Sequence, residues 1–369
     1  MKITALESRR YRLPLAPPFE AAWDPLPRDH FDESIVIVHT DTGLRGYAGG
    51  AATPDLGLLE TLLVGCDPAD NEQIFDVCQS VDFHGGRNWT VEVALQDVVA
   101  RSLDMPLCEL LEGIRMSFPA YASTGERLGA EARAERTLQW REQGIRAIKL
   151  RLFHRDWRED VAIVEAVRNA VGDTVEILVD ANHGWRMPGD RSPRWDLATA
   201  AECARALADL DVFWLEEPLD PALVDDYVRL RRLTDLPIAG GEMVRSLAET
   251  QRLIGAGAFD VVQNDVVLAG GVEGTRRVAQ WAKQSQVRWS PHTWSTGYGL
   301  LANLHVALAL STARFIEVPY DPPGWSPARR DFMLPEPLEI AGDGTITPPA
   351  GPGLGIEPDF DALERWRVG

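Results

Sequence analysis

Through the middle of the chain, short apolar runs alternate with amphipathic stretches of helical spacing. Eight runs read as strands: PAYAST, IRAIKLR, VEILVDAN, VFWLEEP, LPIAGGE, FDVVQND, VRWSPH and ARFIEV. Between them, stretches such as DWREDVAIVEAVRNAVG and GVEGTRRVAQWAKQSQ place apolar residues every three to four positions, the spacing of a helix with one buried face. Alternating strands and helices predict a parallel sheet, and eight such repeats close most simply into an α/β barrel.

The flanking regions have a different pattern. Alternation predicts strands at Ile3–Arg12 and Ser34–His39, the second leading through TDTGLRGYAGG into a hairpin. Between them lies the Pro-rich span PLAPPFEAAWDPLPRDH, read either as a mobile cover over an active site, centred on residues 15–30, or as a plain surface connection. From Pro54 to Gly113 the pattern is helical, clearest where Val91, Leu95, Val98, Val99 and Leu103 share a face. Pro106 interrupts that run and Gly113 closes it, which predicts two short helices. Residues 1–118 are therefore expected to form an α+β domain and residues 119–318 the barrel. Residues 319–369, rich in Pro and Gly, are expected to fold back onto the first domain.

Composition narrows the range of functions. With 369 residues there is room for one barrel of about 250 residues and a smaller domain. The formal charge of −19, from 37 Lys+Arg against 56 Asp+Glu, argues against nucleic-acid or membrane-surface partners. No apolar stretch approaches a membrane-spanning length and MKITALESRRYRLPL lacks a signal-type apolar core, so a cytoplasmic location is expected. Cys66, Cys78, Cys108 and Cys203 are widely spaced and read as reduced thiols.

Catalytic groups on such a barrel collect at the C-terminal strand ends. There the chain delivers Lys149 and Arg151, Asp180 and Asn182, Glu216, Glu242, Asp265, His292 and Glu317. A single strand-end acid is often a helix cap or half of an ion pair, but Asp180, Glu216 and Glu242 end three consecutive strands. Three carboxylates with no soft ligand nearby suit Mg²⁺. Period two puts Lys149 and Arg151 on one strand face, either neutralising those acids or flanking a substrate carboxylate. Arg151, always charged, suits anchoring better than proton abstraction. Asp265 beside His292 predicts a dyad in which the acid orients the ring as a base. Abstraction of a proton α to a carboxylate would use these parts. Glu317 either donates to the resulting oxyanion or pairs with Lys149 or Arg151.

The stretches IKLR, LVDANHGW, WLEEPL, AGGE, VVQNDVVLAGG and SPHTW resemble, in order and spacing, the mandelate racemase subgroup of the enolase superfamily over essentially the whole chain. The resemblance implies a modified TIM barrel, (β/α)7β, under a cap formed by both termini. It implies Mg²⁺ on Asp180, Glu216 and Glu242, with Glu217 a neighbour of the ligand. It also implies His292 with Asp265 as acid/base, and closure of the loop around Trp23 over a small carboxylate substrate. Relatives are often dimers or octamers, so a homo-oligomer is the corresponding expectation. One departure bears on the reaction: Arg151 stands where the family usually has the second lysine of Lys-x-Lys, a base. Asn264 replaces a frequent Pro, and His183 lies three after Asp180 rather than two. An acid-sugar dehydratase acting on an aldonate or aldarate accommodates these departures best. The alternatives are a racemase or epimerase using Lys149 as second base, and a non-catalytic metal-dependent binding protein.

Overall fold

Alternating residues near the N-terminus form an antiparallel sheet of β1 (Ile3–Phe19), β2 (Arg28–Thr40) and β3 (Arg45–Gly50), in that spatial order. The structure, a computed structural model, describes residues 1–50 and 56–368. Strands β1 and β2 run further into the Pro-rich span than alternation predicts, so the expected cover is shorter than residues 15–30. The reason is position: β1 is the outer strand, and its register breaks between Pro14 and Phe19, where prolines cost no ladder bond.

Four helices follow: α1 (Leu56–Leu63), α2 (Asn71–Gly85), α3 (Trp89–Ser102) and α4 (Leu107–Leu110). Pro54, where the helical pattern begins, lies outside the described residues. Pro106 occupies the N-cap position of α4, so α3 and α4 are separate helices. Helix α3 lies directly on the sheet because Gly46 has no side chain: a Cβ there would meet the Ala94 carbonyl at 2.0 Å.

The barrel strands are β4 (Phe118–Ser123), β5 (Ala147–Arg151), β6 (Glu176–Asp180), β7 (Val212–Glu216), β8 (Ile238–Gly240), β9 (Val261–Val262), β10 (Arg288–Trp289) and β11 (Ile316–Pro319). Helices α5 (Ala130–Glu142), α6 (Trp157–Val171), α7 (Leu197–Ala208), α8 (Val224–Leu233), α9 (Leu247–Ala256), α10 (Gly271–Gln284) and α11 (Gly297–Leu310) alternate with them. Neighbouring strands pair in parallel in chain order, and β11 returns to pair with β4. Between β10 and β11 the described contacts include Ala313 N–H to the Trp289 carbonyl (3.3 Å) and Ser290 Oγ to the Phe315 carbonyl (2.9 Å). Eight strands with seven intervening helices make this a modified TIM barrel, (β/α)7β, beneath an α+β cap.

The barrel interior is layered. Tyr121, Ala147, Leu178, Trp214, Ala239, Val261 and Phe315 form a buried apolar plug. Two residues further along the strands, period two brings Ser123, Lys149, Asp180, Glu216, Gln263 and Glu317 onto the same interior face, all buried. The polar layer thus rests on a dry floor.

After β11 the chain turns back. Strand β12 (Thr345–Ile346) pairs antiparallel with β4, and residues beyond it reach the cap. Leu107 N–H donates to the Gly353 carbonyl (2.8 Å), Leu354 N–H to Asp97 (2.6 Å), and Arg9 lies 4.0 Å over the Phe360 ring.

Candidate active site

Strand register brings the acids side by side. Arg151 pairs with Asp180 and Asp180 with Glu216 across β5, β6 and β7, while Glu242 follows β8. Asp180, Glu216 and Glu242 each offer an oxygen, all within 4.8 Å of one another and all buried. Each oxygen is aimed by a neighbour. Asn182, with φ of 53°, folds back so that its N–H and Nδ2 donate to Asp180 (2.8 and 3.1 Å). Trp214 Nε1 and Gln263 Nε2 donate to Glu216 Oε2 (3.2 and 2.9 Å), and Trp185 Nε1 donates to Glu242 Oε1 (2.5 Å). Glu242 Oε2 is buried with no hydrogen-bond partner. Burial is the first cause raising all three acids above the ordinary carboxylate range. Three hard oxygens, one of them orphaned, fit a divalent cation such as Mg²⁺ better than a soft metal.

Two cations flank this cluster. Lys149 Nζ sits between Glu216 Oε1 (2.6 Å) and Glu317 Oε1 (2.7 Å), with Asp180 at 3.7 Å. Arg151 donates to Asp180 Oδ2 (2.5 Å), Asn182 Oδ1 (3.3 Å), the Thr124 carbonyl (2.8 Å) and Ser123 Oγ (3.2 Å). Glu317 keeps both oxygens inside the protein: Oε1 takes Ser123 Oγ–H (2.6 Å) and Oε2 the Thr293 N–H (2.8 Å). Burial alone would raise the Glu317 carboxyl, but Lys149, His292 and Arg151 outweigh it and hold it at about 2. Of the two expectations for Glu317, the structure shows the ion pair; so ionised, it is a poor proton donor to an oxyanion.

His292 faces the same cluster. Its Nδ1 lies 3.0 Å from Asp265 Oδ2, and its Nε2 lies 3.6 Å from Glu242 Oε2. Asp265 is itself fixed by the Val267 N–H (2.9 Å) and Asn303 Nδ2 (3.0 Å). Burial opposes a charge on the ring, yet Glu242 and the Asp265 bond outweigh it and raise His292 to about 9. The Glu242 contribution disappears when that carboxylate is neutralised by a cation.

Aromatic rings roof the site. Trp23 lies 4.3 Å and Trp294 4.9 Å from the Arg151 guanidinium, and the two rings meet edge to face at 4.5 Å. His183 turns out of the cluster and stacks on Trp195 at 4.5 Å. Glu217 lies buried beside the acids with φ of 47°, and Glu242, Asp180 and Glu216 add to burial in keeping its carboxyl raised. Several contributors had no place in the sequence reading. Trp214 and Gln263 lie two residues before Glu216 and Asp265, so strand periodicity could have found them. Trp185 in a connection and Asn303 on α11 are brought in by tertiary folding alone.

A modified TIM barrel with acids at three successive strand ends and a His–Asp pair opposite defines a recognisable class. The pattern described as Enolase C-terminal domain-like matches residues 131–362, and the chain belongs to the enolase superfamily, with mandelate racemase-like relatives. It is 30% identical to D-galactarolactone cycloisomerase of Agrobacterium fabrum over 395 aligned residues, covering 100% of this chain and 99% of that protein. It is 29% identical to D-xylonate dehydratase of Haloferax volcanii, covering 90% and 85%. A racemase from Streptomyces coelicolor, solved with bound magnesium, superposes with a TM-score of 0.84 at 25% identity, covering 99% and 100%. The relatives are enzymes and include dehydratases, cycloisomerases and racemases. No helix among the described residues is long and apolar enough to cross a membrane.

Proposed function

We propose that the protein is a Mg²⁺-dependent dehydratase of acid sugars, aldonates or aldarates, yielding a 2-keto-3-deoxy acid. One observation carries this reading: Arg151, in the place of a second base, is a guanidinium fixed by four hydrogen-bond acceptors. An arginine so held stays charged, and although burial would lower Lys149, Glu216 and Glu317 on either side of its Nζ outweigh it and keep the ammonium protonated, so His292 is the group of this cluster placed to act as the base. Elimination needs only one base, whereas racemisation needs one on each face of the carbanion.

In this reading Asp180, Glu216 and Glu242 are the metal ligands, and bound Mg²⁺ supplies charge that makes the substrate's α-proton more acidic. His292 Nε2 takes that proton, and the C–H electrons move into the carboxylate as an enediolate. The positive charges of Lys149 and Arg151 offset the developing charge. As the enediolate collapses, the Cα–Cβ double bond forms and the β C–O bond breaks. The proton held at His292 Nε2 passes to the departing hydroxyl, releasing water, and the enol tautomerises to the keto acid. Asp265 keeps the ring in the tautomer with Nε2 free. Trp23 and Trp294 exclude water.

A second reading has support from the full-length relative in Agrobacterium fabrum, a cycloisomerase. If the β-oxygen belongs to a ring, the same elimination opens the ring instead of releasing water. An acid-sugar panel with Mg²⁺ in D₂O separates the outcomes. A keto acid with loss of water supports dehydration, an isomeric ring-opened acid supports cycloisomerisation, and epimers carrying deuterium at Cα support a racemase. His292→Asn is expected to lower product formation by roughly 10²–10⁴-fold; unchanged turnover would remove the dyad from the mechanism.

A further inference from the structure

The connection between β6 and α7, residues 181–196, starts against the acid cluster and goes on to wall a cavity of about 790 Å³. Two residues of that cavity also belong to the catalytic cluster. Asn182 bonds Asp180 and Arg151, and Trp23 lies over Arg151. The cavity therefore adjoins the place where the reacting carboxylate would lie.

Its charge is opposite to that of the chain. Net charge is −19, yet Arg127, Arg155, Arg191 and Arg194 surround this one space. None has a carboxylate partner among the described residues. Arg127 donates to the Ala22 and Asp24 carbonyls (3.3 and 3.1 Å) and Arg194 to the Asn182 carbonyl (3.3 Å). Arg155 and Arg191 make no hydrogen bond or ion pair there. The two aspartates of the cavity are engaged locally: Asp190 accepts the Ser192 N–H (2.8 Å), and Asp196 caps α7 through the Thr199 N–H (2.8 Å). Burial and nearby Arg186 both weigh against the charge on half-buried Arg194. Asp190, Asp220 and Glu217 offset only part of that penalty on Arg194; like charges in excess repel one another, and an anion bound by their planar forks would relieve that repulsion. The same local field would draw a doubly charged acid toward a protein that repels it overall.

We propose that this cavity is a subsite for a second anionic group, a carboxylate or a phosphate ester, at the end of the substrate remote from the reacting carboxylate. The substrate is then a dianion such as an aldarate or an aldonate phosphate rather than a simple aldonate. This rests on the reading that the reacting carboxylate lies at Asp180, Glu216 and Glu242.

Calorimetric binding with Mg²⁺ present, on His292→Asn protein to prevent turnover, tests it. Matched sets of aldonate, aldarate and terminal aldonate phosphate are titrated into this protein and into the same protein carrying Arg155→Gln and Arg191→Gln. Both added substitutions are on exposed side chains with no described partner, so folding is not at issue. One dianion class is expected to bind roughly tenfold or more tighter than its monoanion, and the double substitution to abolish that preference while leaving the monoanion Kd unchanged. The class that wins identifies the group. Equal binding of mono- and dianions, a preference that survives the double substitution, or no binding by any dianion would overturn the subsite. None of these outcomes decides the proton chemistry, which the D₂O panel tests independently.

Discussion

Arg151 shows how much one side chain can organise. Its guanidinium reaches four acceptors at the ends of two strands, β4 and β6, and supports two tryptophan rings, which a lysine ammonium cannot reproduce. Arg151→Lys is expected to lower kcat/KM by about 10–100-fold, the loss of a charge-assisted bond or two, without creating epimers in D₂O. Steady-state kinetics with NMR of the products checks both parts. Gly184 is constrained for a steric reason. A Cβ there would lie 2.4 Å from the Glu217 carboxylate, which is held next to Glu216 in a left-handed backbone. Gly184→Ala should therefore destabilise the protein by about 1–3 kcal/mol and blunt its response to Mg²⁺, both measurable by thermal unfolding with and without the ion.

At the level of elements, the βα rhythm was legible because each strand run is short, β-branched and closed by a polar residue. The helices over Trp157–Val171 and Gly271–Gln284 fall within one or two residues of their sequence signatures. Strand β9 retains only Val261–Val262 of its longer run, and the rest of FDVVQND bends to aim Gln263 and Asp265 inward. What the sequence did not reveal is convergence. Nothing in RMPGDRSPRW says that Arg191 and Arg194 share a cavity with Arg127 and Arg155, since that depends on how a connection folds. Helix α11 offers a pH test remote from the metal cluster. Its buried His305 accepts the Cys108 N–H at Nδ1 (3.3 Å), and burial lowers the ring to about 4. The folded state favours the neutral ring. Its contribution is therefore full above the unfolded value near 6.5 and is lost as pH falls toward 4, by up to about 3 kcal/mol. Urea unfolding of wild type and His305→Asn at pH 7 and pH 4.5 should show the gap between them narrowing at the lower pH.

For the whole molecule, the main electrostatic problem lies at the barrel mouth. Asp180, Glu216, Glu217, Glu242 and Glu317 are buried together, with Lys149, Arg151 and His292 as the basic groups among them. Burial of that much like charge is unfavourable without a further cation. Mg²⁺ should therefore raise Tm, with a stabilisation of about 2.7 kcal/mol at a hundredfold excess over Kd. Glu242→Gln, which removes the charge next to the orphaned oxygen, should abolish most of the shift. Differential scanning calorimetry with Mg²⁺ and with EDTA reads both.

The outer part of the connection after β6, residues 186–196 beyond Asn182 and Trp185, separates two jobs that many enzymes mix. The proposed proton chemistry stands on strands fixed by the barrel's own floor, whereas the arginines that would read the far end of a substrate include those of a connection the sheet does not need. Such a layout is open to transplantation: exchanging that segment between relatives should move the choice of acid from one enzyme to another while the rate-determining chemistry stays behind.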